Sequence, residues 1–182
     1  MWQILFYLSP PVFLAAITVA ALVAFGGVLL KKKAPRLMEK GGFLVLAIAV
    51  FACMAVLVEP VGGWASVGQG GMSLSLTPFG FVFGDHVTDN SLHWEEWMLN
   101  ILLFVPLGIV AALTIANRWG LWLFGPVLSL AIEVGQAVLA TGRQSALDDL
   151  LANSAGYFIG VAFVLLAQRI LTRQHQPERA TT

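Results

Sequence analysis

Five long apolar runs constrain this chain more than anything else in it. They cover about residues 8–30, 43–58, 97–116, 121–140 and 146–171. A helix needs about 20 apolar residues to cross a bilayer, and only helices or closed barrels satisfy their own backbone there. The first run is entered by Pro10-Pro11 and closed by Lys31-Lys32-Lys33. Its basic residues follow the apolar stretch, which disfavours a cleaved signal peptide. The second run is short and ends at Glu59-Pro60. Only 11% of residues are charged, against about 25% in soluble domains, which excludes an ordinary soluble enzyme. The expected fold is all-α: a polytopic membrane helix bundle of about five transmembrane helices. It forms one domain over residues 1–171, with a tail at 172–182. A lone Cys53 allows no internal disulfide and reads as a small buried hydrophobe.

The net charge of zero hides a strong asymmetry. Lys31, Lys32, Lys33, Arg36 and Lys40 fall between the first two runs and Arg118 between the third and fourth. Arg169, Arg173 and Arg179 fall at or beyond the end of the fifth. With five helices all nine share one side, and only Arg143 is opposite. The positive-inside rule then places the N-terminus outside and the C-terminus in the cytoplasm. The long loop from Glu59 to Glu96 has no Lys or Arg and would be extracytoplasmic. Its glycines favour turns. Its Leu74, Leu76, Phe79, Phe81 and Trp94 suit a segment lying at the outer interface.

Polar residues inside the apolar runs are the functional candidates. Glu133 lies seven residues from the end of the fourth run, where a charge costs about 2.5–3.5 kcal/mol at the helix centre unless it meets a partner or a wet cavity. Ser129 and Gln136 share its face. In the fifth run Asp149, Asn153, Gly156 and Gly160 repeat the spacing, and Ala152, Gly156 and Gly160 make a small-residue ridge for close helix packing. Ser145 and Asp148 have the form of a capping box. The third run supplies Asn100, then Pro106, which favours a kink, and Gly108. At a rise of about 1.5 Å per residue these groups all fall in the outer third of the membrane. Arg143, in the loop just above, after Gly142 breaks the fourth helix, offers Glu133 and Asp149 charge-assisted hydrogen bonds. The cluster Asn100, Glu133, Gln136, Arg143, Asp149 and Asn153 is thus either an ion-pair lock or an outward-opening polar pocket. Pro106, Gly108, Gly156 and Gly160 are read as packing residues.

The other candidates are weak. His86, Asp89, His93 and Glu96 have no recognised ligand spacing, so no metal is expected. No phosphate loop and no nucleophile elbow is present, and neither a cofactor nor nucleic acid is indicated. The Lys31 to Lys40 segment is a topology determinant, with anionic headgroups as secondary partners.

The series Asn100, Phe104, Pro106, Leu107 and Gly108, then Glu133 and Gln136, then Arg143, Asp149, Asn153 and Gly156 resembles the VanZ-like family of bacterial membrane proteins. Leu76-Thr77-Pro78-Phe79 resembles the Pro-Phe element of that family, with Thr77 where members commonly carry a small polar residue such as Asn. The resemblance implies a cell-envelope protein of the bacterial plasma membrane. The name-giving member is associated with low-level resistance to teicoplanin, a glycopeptide that binds peptidoglycan precursors. It implies no mechanism.

Three readings stay open. In the first, a protein with no established catalytic motif alters glycopeptide access or envelope composition through the outward cluster. In the second, a membrane enzyme acts on a lipid-linked envelope precursor, with Glu133 or Asp149 as acid or base and Arg143 holding a phosphate or carboxylate. In the third, a small transporter or flippase subunit uses Glu133 for proton coupling. Five helices are few for that task, so the third reading needs a homo-oligomer or a partner.

Overall fold

The computed structural model describes residues 10–58, 64–69, 74–75, 90–140 and 145–173. Five helices account for most of them: α1 (Pro10–Lys33), α2 (Pro35–Val58), α3 (Asn90–Thr114), α4 (Arg118–Leu139) and α5 (Leu147–Arg173). All five are long and apolar enough to cross a membrane, as the apolar runs require. A 3-10 turn at Trp64–Ser66 and a two-residue parallel pairing complete the described elements. In that pairing Leu74–Ser75 (β1) runs beside Ser145–Ala146 (β2). Ser145, expected as a helix cap, is therefore part of a strand pair, and Asp148 and Asp149 open the first turn of α5.

Two helices start well before their apolar runs. α2 begins at Pro35, eight residues ahead of the expected 43, and α3 at Asn90, seven ahead of 97. Apolar runs report where hydrocarbon begins; backbone hydrogen bonding continues into the polar zone. The basic segment is consequently helical and not a loop. Ala34 alone separates α1 from α2. Its N–H donates to Leu30 O at 2.7 Å, while its carbonyl accepts from Leu37 and Met38 at 3.1 and 3.2 Å. Pro35 explains the break, because it lacks an N–H to continue α1 and disfavours helical geometry at Ala34, yet suits the first position of α2.

The other helix ends are set locally. Asn117 caps α4, its side-chain oxygen accepting from Trp119 N–H at 2.9 Å and Gly120 N–H at 3.3 Å. α4 stops at Ala140, which adopts a left-handed φ of 45° and donates its N–H to Ala137 O. The helix thus ends two residues before Gly142, which lies outside the described residues. Leu139 O accepts from Gly68 N–H at 3.1 Å, tying the 64–69 turn to this end of the bundle. Gly68 holds the positive φ of 78° that its turn needs.

α3 and α5 form the central pair, with α4 laid on α5, α2 on α3, and α1 against both. Their backbones nearly touch. A methyl group at Gly156 would fall on Ile101 O, one at Gly160 on Val105 O, and one at Gly108 on Tyr157 O. Pro106 points out of this interface and is exposed; α3 runs through it to Thr114. Large apolar side chains such as Phe51 and Val138 cover the outside of the bundle. The described buried polar residues number four, all on α4 and α5: Ser129, Glu133, Gln136 and Asn153. Apolar groups outside and polar groups inside suit a bundle solvated by lipid.

Two Gly→Ala variants test the packing. Gly156→Ala should destabilise the protein by about 1–3 kcal/mol or more, because the neighbouring backbone cannot yield. Gly135→Ala meets nothing within 4 Å and should be neutral or gain up to about 1 kcal/mol of helix propensity. Thermal unfolding in detergent would read both, and equal shifts would contradict this interface.

Candidate functional site

α4 and α5 are antiparallel neighbours, and their facing residues step together every four positions. At the deepest level the Tyr157 ring fills the space where Gly125 lacks a side chain, and its hydroxyl donates to Leu121 O at 2.7 Å. One turn nearer the α5 start, Asn153 Nδ2 donates to Ser129 Oγ at 3.1 Å. The same register puts Glu133 and Asp149 at the next level, four residues further along each helix. Glu133 is 6% exposed and Asn153 only 1%.

Two further helices, α2 and α3, close the seam. Asn100 Nδ2, on α3, donates to Asp149 Oδ1 at 2.7 Å. Gln136 Nε2 donates to Leu57 O, the last turn of α2, also at 2.7 Å. Residues from four helices therefore meet at the end of the bundle where α2 and α4 stop and α3 and α5 start. Three amides spend their N–H groups on protein acceptors. Two of their oxygens, Gln136 Oε1 and Asn153 Oδ1, are buried with no protein partner, and Trp97 Nε1 on α3 is a buried donor in the same condition. Buried polar atoms are nearly always hydrogen-bonded; Thr114 Oγ1, at the far end of α3, is a fourth described atom in this condition. Among the described residues no group of three His, Cys, Asp or Glu is arranged to hold a metal.

Five of the six expected cluster residues are described, and the structure brings Asn100, Glu133, Gln136, Asp149 and Asn153 to this one end. Arg143 lies outside the described residues, as do Thr77, Pro78, Phe79, His86 and Asp89. Of the fifth-run stripe, Asp149, Gly156 and Gly160 meet α3, while Asn153 reaches Ser129 on α4. Sequence reasoning missed Tyr157 with Gly125, although Tyr157 is the next four-residue step after Asn153. It also missed Leu57 O, for which no sequence signal exists, since any residue has a carbonyl.

The fold defines a multi-pass helical membrane protein, and its seam gathers Glu133, Gln136, Asp149 and Asn153 toward one end. A family match makes this specific. The chain belongs to the VanZ/LLP1 family, whose sequence model matches residues 43–168. That stretch runs from α2 to the last turns of α5 and leaves α1 outside it. No curated protein and no solved structure matches the chain.

A double-mutant cycle over Asn100→Ala and Asp149→Ala should give a coupling on the order of 1 kcal/mol, typical of interhelical hydrogen bonds in membranes. Reversible unfolding in detergent or lipid would measure it. Strictly additive effects would mean that the pair does not interact.

Proposed function

We propose that this protein sits in the bacterial plasma membrane and lowers susceptibility to glycopeptides such as teicoplanin through the polar seam at its extracytoplasmic end. Family membership supports the envelope setting. The orientation is supported by charge. Lys31, Lys32, Lys33, Arg36, Lys40, Arg118, Arg169 and Arg173 all belong to the end of the bundle opposite the seam. That end is cytoplasmic by the positive-inside rule, so the seam faces the compartment where peptidoglycan precursors are exposed. The observation that carries the reading is the seam itself: three helices bring side-chain amides and carboxyls to a single place, and a fourth adds the Leu57 carbonyl. Membrane proteins rarely bury such groups without a use.

A second reading has its own support. Glu133 and Asp149 share one level on adjacent helices, an arrangement suited to acid–base work on a lipid-linked envelope precursor. Glu133→Gln keeps the shape and removes the titratable group.

Wild type, Glu133→Gln and Asp149→Asn, each expressed in a deletion strain, separate these ideas. With membrane abundance held at the wild-type level, both variants should fall to the teicoplanin susceptibility of the deletion strain. Parallel loss of abundance and resistance would make the seam a packing lock. Unchanged resistance in both variants would remove the seam from the function.

A further inference from the structure

The end of the bundle opposite the seam holds a cleft of about 250 Å³, where the joint between α1 and α2 meets the last turn of α3. Its polar lining is Lys31, Glu39 and Thr114, and Met38, Phe43 and Leu113 are among its apolar walls. Lys31 Nζ donates to Leu113 O. Among the described residues it is the one basic side chain of this end that a hydrogen bond holds in place. An ammonium has three N–H donors, so two remain for a ligand. Thr114 Oγ1 is buried and turned toward Gly42 of α2, which leaves Lys31 to supply the donors of the cleft.

Charge and depth select the occupant. The eight Lys and Arg residues placed at this end above face one carboxyl group among its described residues, that of Glu39. Such a basic end attracts anions, and basic pockets between membrane helices suit phospholipid headgroups. The cleft is also amphipathic along α2. At about 1.5 Å per residue, Phe43 lies roughly 12 Å further along that helix than Pro35, which lines the cleft beside Lys31. Phe43 is exposed on the outside of the bundle. A lipid with its phosphate at Lys31 would lay its acyl chains beside Phe43, a contact that a soluble anion cannot make.

We infer that this cleft seats one anionic phospholipid, its phosphate hydrogen-bonded to the two open donors of Lys31 and its chains laid against Phe43. The bond to Leu113 O holds the ammonium ready, so Lys31 contributes more than Lys32 or Lys33, which do not line the cleft. The Glu39 carboxylate on the cleft wall opposes the phosphate and limits the affinity. The site is separate from the seam and stands whether or not the proposed function does.

Native mass spectrometry of the purified full-length protein, titrated in detergent with phosphatidylglycerol or phosphatidylcholine, tests this. The first phosphatidylglycerol should bind at least about tenfold tighter than phosphatidylcholine. Lys31→Gln should weaken it at least about fivefold and Lys32→Gln less than about twofold. Glu39→Gln should tighten it by about twofold or more. Ala116 also lines the cleft, and Ala116→Phe, which fills the space without changing the charge, should weaken binding at least about fivefold. Thermal unfolding without added lipid separates lost binding from lost folding. Glu39→Gln and Ala116→Phe leave the bond from Lys31 to Leu113 intact, so they decide the matter if Lys31→Gln does not fold. Equal losses in Lys31→Gln and Lys32→Gln, unchanged binding in folded Ala116→Phe, or equal affinity for phosphatidylcholine would overturn the inference. Displacement by millimolar glycerol 1-phosphate would overturn the lipid as the occupant.

Discussion

In hydrocarbon, apolar side chains gain little by leaving lipid for one another, so a membrane bundle depends on how closely its helices approach. α3 and α5 meet through Gly108, Gly156 and Gly160, where a single methyl group would strike the opposing backbone. This contact sets the spacing of everything built around it. It fixes the height of α5 against α3, and with it the level at which Asp149 meets Asn100. Because α4 packs on α5 through Tyr157 and Gly125, the same contact also decides which α4 residues reach the seam.

The polar seam follows from the same geometry. Tyr157 with Leu121, Asn153 with Ser129, and the level shared by Asp149 and Glu133 are successive turns of one antiparallel register. The first two steps are closed by hydrogen bonds within the protein. Asn153 Oδ1 at the second step and Gln136 Oε1 nearer the end of α4 are left without a protein partner. The seam thus runs from a packed joint toward the end of the bundle where Asp148 and Asp149 open α5.

Much of this was legible in the residues. Five spans and their all-helical character follow from apolar length, and the cluster membership of Asn100, Glu133, Gln136, Asp149 and Asn153 from polar residues at helical spacing. Helix starts were less legible. Pro35 begins α2 in the middle of a basic segment, and Asn90 begins α3 in a stretch too polar to count as a span. Hydrogen bonding extends a helix past the hydrocarbon boundary, and hydropathy does not see it. Pro106 and Gly108 looked alike as packing signals, yet two residues apart on a helix is more than half a turn, so one faces lipid and the other faces α5.

By itself the sequence determined the solvent, the number of spans, the charge polarity of the two ends and the family pattern. Each depends on composition and local spacing, which one chain carries in full. The tertiary structure alone decided the partners. Asn100 meets Asp149, Gln136 meets Leu57 O, and Tyr157 occupies the space left by Gly125. Such pairings depend on the vertical register between helices, which close glycine contacts set. They also draw on backbone carbonyls, which every residue has and no side-chain pattern distinguishes.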